Sequence, residues 1–144
     1  VGTFGVIEYC RQHGIKLIYA GSSTKFADGG LGRDQSPYAW TKAPNTELVM
    51  NYGRWFGLRY AIAYFYNVYG PREITDGAYA TVLGIFRRQY ASRQPLTVVA
   101  PGTQRRNFTH VEDIVRGLTL VAEQGLGDEY GLGAEQSHSV MEIA

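Results

Sequence analysis

Charge of one sign is scarce in this 144-residue chain: 14 Lys and Arg against 13 Asp and Glu leave a formal net charge of +1. No global field therefore favours nucleic acid or an anionic membrane, though a local basic cluster would still hold a small anion such as a diphosphate. Cysteine is nearly absent. A single Cys10 excludes an internal disulfide; it sits in a helical pattern, where a buried thiol packs as a small apolar group. A reducing, cytoplasmic setting fits that usage. No apolar run approaches the roughly 20 residues that a membrane helix needs. The three histidines, His13, His110 and His138, have no metal-ligand spacing, so no metal is expected. The chain opens on Val1 rather than Met, and is expected to be part of a longer protein.

What is present is a globular composition, 44% hydrophobic and 19% charged, which can bury a core and is not that of a disordered chain. Thr3 to His13 carries Phe4, Ile7 and Cys10 at helical spacing, and Gly14 follows as a stop. Residues 16–20 are a short apolar run, as a strand covered on both faces requires. A polar, glycine-rich loop follows to Pro37. Tyr38 to Phe56 is the longest helical pattern, with Leu48, Val49, Tyr52 and Phe56 near one stripe, and Pro44 inside it predicts a separate first turn or a kink. Residues 58–65 read as a second buried strand, 79–90 as a helix and 96–99 as a short β-branched strand. Val111 to Glu123 predicts an amphipathic helix with Ile114, Val115, Leu118 and Val121 inward. Gly131 and Gly133 break the next strand-like piece, and Val140 to Ala144 starts a final helix. This alternation predicts an α/β fold with a parallel sheet, whose ligands bind beyond the carboxyl ends of the strands.

Polar residues stand at both strand ends: Ser22, Ser23 and Thr24 after the first, Asn67 after the second. Tyr38-Ala39-Trp40-Thr41-Lys42 places a phenol and an ammonium four residues apart, on one helical face. A lysine ammonium there stabilises phenolate, so the phenol can exchange a proton with a hydroxyl near neutral pH. With eleven tyrosines in the chain, that spacing by itself is weak. A strand-end hydroxyl can steady a reacting oxygen, or simply cap its loop.

The order of the features is more specific. Gly21-Ser22-Ser23-Thr24, then Ser36-Pro37-Tyr38-x-x-x-Lys42, then Asn67-Val68-Tyr69-Gly70-Pro71-Arg72, then Arg106-Asn107-Phe108-Thr109-His110-Val111-Glu112-Asp113 resembles the extended short-chain dehydrogenase/reductase family, in its NAD-dependent epimerase/dehydratase branch. The resemblance covers essentially the whole chain. It implies the C-terminal part of a Rossmann-like parallel sheet plus a small mixed substrate-binding domain. Residues 1–66 would be the remainder of the dinucleotide-binding domain, and residues 67–144 mostly the nucleotide-sugar region.

By the same resemblance Tyr38 is the acid/base, and Lys42 holds the nicotinamide ribose. Ser22 aligns best with the catalytic hydroxyl; Ser23 and Thr24 are neighbouring alternatives on the substrate side. Phe65 and Tyr66 lie near the nicotinamide of NAD (or NADP). Asn67 contacts the nucleotide-sugar diphosphate region, Thr97, Val98 and Val99 line the nucleobase pocket, and Arg106 pairs with the diphosphate through its forked guanidinium. Arg105 reads as solvated, Arg72 as ligand-facing or solvent-facing. His110 reads as structural, a helix cap, and Asp113 as a local hydrogen-bonding group. A homodimer paired through two helices is implied for the complete protein, the 38–56 region being one of them.

Departures from the family narrow the chemistry. The resembling dehydratases have an Asp-Glu pair where Ser23 and Thr24 stand; decarboxylating members have a glutamate at the position of Thr24, and the GDP-fucose synthase type a cysteine. Redox at one carbinol, meaning 4-epimerisation or ketone reduction, needs only Tyr38, Lys42 and a hydroxyl, and is what remains; a 4-epimerase-like enzyme is expected, with a reductase, a dehydratase or a non-catalytic nucleotide-binding relative as alternatives. An asparagine usual near Gly131 is missing. No glycine-rich turn stands at the front to bring backbone amides to a pyrophosphate; Gly29-Gly30-x-Gly32 follows the hydroxyls and reads as surface loop. The 144 residues by themselves are therefore expected to bind NAD poorly and to be inactive.

Overall fold

The computed structural model describes residues 2–23, 26, 34 and 36–144. The expectations for Thr24 and for the 29–32 glycines fall outside the described residues. The chain divides into two compact units, Val1–Phe65 with Arg116–Leu132, and Tyr66–Val115 with Gly133–Ala144.

The first unit is built on a three-stranded parallel sheet of order β1-β2-β6, with β1 at Leu17–Ser22, β2 at Tyr60–Phe65 and β6 at Gly127–Leu132. Ala61, Ile62, Ala63 and Tyr64 of the central strand are fully buried, which is why that stretch is nearly all apolar. The register pairs Ser22 with Phe65 and Phe65 with Leu132, so the three carboxyl ends finish together. Of the two glycines expected to break this strand, Gly131 lies within β6, whereas Gly133 follows its end at Leu132.

Gly21 and Gly131 flank Tyr64 in the ladder. A Cβ on Gly21 would stand 2.5 Å from the Tyr64 ring, so the absence of a side chain makes room for a buried aromatic. The Tyr64 hydroxyl donates to Asp128 Oδ1 at 2.7 Å, and the Phe26 ring meets it edge-on at 4.9 Å. Burial, then the Asp128 carboxylate, pushes the Tyr64 phenol well above its ordinary range.

Helix α1 (Gly2–Gln12) buries Ile7 and Cys10, as its spacing requires. Helix α2 (Pro37–Phe56) starts at Ser36, whose side chain accepts from the Ala39 N–H at 3.1 Å, with Pro37 in the first turn where no donor is needed. It ends at Gly57, in the left-handed region with φ 68°. Pro44 does not set off a separate first turn: α2 is one helix with Pro44 inside. Hydroxyls support the backbone nearby, Thr41 donating to the Tyr38 carbonyl at 2.9 Å and Thr46 to the Lys42 carbonyl at 3.0 Å. Val49 and Tyr52 are buried, but Phe56 is exposed.

Helix α4 (Val111–Gln124) buries Ile114 and Val121 and leaves Val115 56% exposed, against the expectation that Val115 faces inward. Ile114, Leu118 and Val121 form the i, i+4, i+7 stripe, and Val115 lies 100° round from it. Lys16 Nζ donates to the carbonyls of Val121 and Ala122 at 3.1 and 2.7 Å, a cation on the end of α4 where the dipole is negative.

The second unit has two small ladders. β3 (Val68–Tyr69) pairs in parallel with β5 (Thr109–His110), and β4 (Arg105–Arg106) antiparallel with β7 (His138–Ser139). Helix α3 (Val82–Ala91) begins later than the sequence pattern suggested because Thr81 caps it, accepting from the Gly84 N–H at 3.0 Å. The expected strand at 96–99 is absent. The Gln89 side chain brackets Thr97 instead, accepting its N–H at 3.1 Å and donating to its hydroxyl at 2.8 Å, so a side chain occupies what a ladder would use. The last helix, α5 (Val140–Ile143), carries a capping box between Ser139 and Glu142.

Two outcomes follow from this packing. Gly21→Ala should destabilise the chain by about 1–3 kcal/mol, the usual cost of forcing atoms into a packed core, seen as a lower urea midpoint; an unchanged midpoint would remove the Gly21–Tyr64 argument. The Ser139 N–H first, and then Arg105, hold the Glu142 carboxyl below its ordinary value of 4.5. That support is present above the ordinary value and is lost as pH falls through the lowered one. Amide protection over residues 139–144 should thus decline in acid, and Glu142→Gln should show low protection at every pH.

Candidate active site

In the first unit the site is assembled by the start of α2 and the end of β1. The Ser36 cap fixes where α2 begins, which puts Tyr38 in its first turn and leaves it 60% exposed. One turn on, Lys42 Nζ donates to the Ala20 carbonyl at 3.1 Å. It lies 5.8 Å from the centroid of the Tyr38 ring and 5.4 Å from that of Tyr19. An ammonium has three donors; the structure commits one of Lys42's to Ala20. Ser22 closes β1 two residues beyond Ala20 and shares its sheet face, since side chains alternate. Ser23 follows, half-buried. Phe65 is the register partner of Ser22.

Sequence reasoning passed over Tyr19, an apolar-looking member of a buried strand. Burial raises its phenol above the ordinary value, the Tyr38 phenol adds to that, and the Asn45 amide opposes both. The available signal was a polar-tipped residue in a run that is otherwise aliphatic.

In the second unit, Asn67 adopts φ 40°, a conformation that asparagine tolerates better than most residues. Its Nδ2 donates to the Asn107 carbonyl at 3.2 Å and its own carbonyl accepts from the Thr109 N–H at 3.3 Å. Asn107 Nδ2 reaches the Ala134 carbonyl at 2.8 Å, and Thr109 Oγ1 accepts from the Ala134 N–H at 3.0 Å. Much of the Asn-Phe-Thr-His motif thus ties its own loops together. His110 acts as the expected cap, its Nδ1 facing the Glu112 N–H at 3.4 Å. A Cβ on Gly133 would meet the Tyr66 ring at 3.0 Å, so this glycine lets Tyr66 lie against it.

A cavity of about 200 Å³ is lined by Asn67, Val68 and Tyr69 together with Thr81, Leu83 and Phe108. Thr97, Val98 and Val99 do not line it; Thr97 is engaged by Gln89 and Val99 is 78% exposed. The two arginines of β4 separate clearly. Arg105 is committed to Ser137 and Glu142. Arg106 is exposed and has no partner among the described residues. Nor do the described residues group His, Cys, Asp or Glu as a metal site would.

Comparison with known proteins shows the family and the fold. The model of the NAD-dependent epimerase/dehydratase family matches residues 1–133, and the chain belongs to that family. It is 30% identical over 96% of its length to the UDP-glucose epimerase YtcB of Bacillus subtilis (strain 168), itself uncharacterized, and 32% identical over 89% of its length to a UDP-glucuronate 4-epimerase of Thermodesulfobacterium geofontis. It spans less than half of each, 46% and 41%. UDP-glucuronic acid decarboxylases of Arabidopsis thaliana also match, one at 27% identity over the whole chain. Among solved structures, the UDP-glucose 4-epimerase of Thermotoga maritima with UDP-glucose superposes with a TM-score of 0.89 over 99% of this chain and 49% of that one, at 23% identity, which establishes the fold. The UDP-glucuronic acid 4-epimerase of Bacillus cereus, in complex with UDP-glucuronic acid and NAD, gives 0.82 at 27% identity over 98% of this chain and 47% of that one. None of the described helices is long and apolar enough to cross a membrane.

The contrast between the two arginines gives a direct test. Arg105→Ala should lower the thermal midpoint of the chain, whereas Arg106→Ala should leave it in place; equal losses would mean that Arg106 is also part of the scaffold.

Proposed function

We propose that this chain carries the acid/base and substrate-binding residues of an NAD-dependent nucleotide-sugar 4-epimerase. The carrying observation is the exposed Tyr38 phenol beside a Lys42 ammonium that is tied to the end of β1. The residues suit the nicotinamide end of such a cofactor, because a ribose diol takes donors and Lys42 has only one committed to Ala20. NAD, when bound, supplies the acceptor and donor of hydride.

Within that reading Tyr38 accepts the proton of the sugar hydroxyl as the carbinol is oxidised, and returns it when the ketone is reduced. Lys42 favours the negative charge on the phenol oxygen, and Ser22 hydrogen-bonds the reacting oxygen. Phe65 and Tyr66 border the nicotinamide. Asn67 and Arg106 hold the diphosphate, a task to which an uncommitted guanidinium is suited. Thr97, Val98 and Val99 approach the nucleobase, and Ser23 and Thr24 the sugar. The region up to Tyr66 serves the dinucleotide and the later part mostly the nucleotide sugar.

Epimerisation is favoured over dehydration and decarboxylation by what Ser23 and Thr24 are. Elimination of water or loss of carbon dioxide calls on further acids beside the hydroxyl, and neither residue is one. A non-catalytic role would leave Tyr38, Lys42 and Ser22 together without purpose. Pairing of two copies is supported by aromatic side chains left exposed on the two helices, Phe4 and Tyr9 on α1 and Trp55 and Phe56 on α2.

Tyr38→Phe in the enzyme that contains this chain should lower turnover by about 10²–10⁴-fold, the range for a lost general acid/base, with nucleotide-sugar affinity within a few-fold. The conversion of one nucleotide-sugar epimer to the other, followed by chromatography, and calorimetric binding measure the two arms. Retained turnover would sink the Tyr38 assignment.

A further inference from the structure

We propose that Tyr19 is a positioning residue for Lys42: its ring is the platform on which the ammonium rests between the Ala20 carbonyl and the Tyr38 phenol. The inference rests on the reading of Tyr38 and Lys42 given above, and adds a residue to which that reading assigns nothing. Tyr19 and Ala20 are consecutive in β1, so one residue offers a π face and the next a carbonyl to the same Nζ, at 5.4 Å from the ring centroid and 3.1 Å from the oxygen. Aromatic faces attract cations within about 6 Å, and more strongly as water is excluded. Here the ring belongs to a strand of the central sheet and is half-buried, so it cannot swing away as a surface tyrosine would.

Helix α2 completes the arrangement. Tyr38, Lys42 and Asn45 stand at i, i+4 and i+7, one stripe of the helix, and Asn45 is the group that faces the Tyr19 phenol from that stripe. Burial and the neighbouring Tyr38 both oppose ionisation of Tyr19. A neutral ring beneath the ammonium holds its position without competing for the charge that Tyr38 is to carry. The hydroxyl of Tyr19 has no part in this; the ring does.

The sequence has three lysines, Lys16, Lys25 and Lys42, which makes Lys42 observable directly. In the 144-residue chain with isotope-labelled lysine, the Lys42 ε-methylene signal, assigned by its disappearance in Lys42→Arg, should lie upfield of the signal of free lysine because of the ring currents around it. Tyr19→Phe should keep that position and Tyr19→Leu should move it downfield towards the free-lysine signal, as far as the remaining Tyr38 ring allows. Should Tyr19→Leu not fold, pentafluorophenylalanine at position 19 keeps the shape and inverts the charge distribution of the face, and the signal should again move. An unchanged Lys42 signal in Tyr19→Leu or with the fluorinated ring overturns the proposal, as does a shift in Tyr19→Phe equal to that in Tyr19→Leu. Turnover is not involved, so failure here is distinct from failure of the Tyr38 assignment, which Tyr38→Phe tests separately.

Discussion

One hydrogen bond, from Lys42 Nζ to the Ala20 carbonyl, joins the two elements on which the catalytic proposal stands. Without it the first turns of α2 and the carboxyl end of β1 are merely neighbours in a layered fold. With it, the side chain best placed to act on Tyr38 is referenced to the backbone of the strand that ends in Ser22. The surrounding sequence serves that geometry. Ser36 and Pro37 fix where α2 begins, Gly57 where it stops, and Gly21 lets the sheet keep the large Tyr64 ring directly beside the strand end. At Gly21 the small residue is a packing requirement; at Gly57 it answers a left-handed backbone.

The second unit applies the same economy to polar groups. Asn67, Asn107 and Thr109 are spent on one another's loops and on Ala134, and Arg105 on Ser137 and Glu142. Arg106 is left over. A guanidinium kept unpaired beside a fully engaged twin is better placed to meet an anion than one that must first break an internal bond, because no existing partner has to be abandoned.

Much of this was legible in the sequence wherever one local rule governed. The α/β order, the buried Cys10 and the capping role of His110 rest on spacing and on single side chains. The misreadings came where two rules competed. Residues 96–99 have strand-forming side chains, but Gln89 reaches them first. Pro44 lacks a donor, which argues for a separate first turn, but α2 carries on through it, Thr46 bonding the Lys42 carbonyl four residues back. Val115 is apolar, but the helix face that counts runs through Ile114 and Val121. Tyr19 was hidden for another reason: its proposed role depends on a residue 23 positions away on a different element, and no spacing rule along the chain reports that.

The division of the first unit between Val1–Phe65 and Arg116–Leu132 bears on how the molecule forms. The central strand β2 has β1 at hand early, across α2, but its other neighbour β6 is separated from it by the whole 66–115 stretch. Closing so long a loop is entropically slow even though its final cost grows only gently with length. As the chain is made, the apolar edge of β2 therefore waits without its partner until residues 127–132 emerge. Whatever happens to residues 66–115 in that interval sets how long the strand bearing Tyr64 stays open to the wrong neighbour.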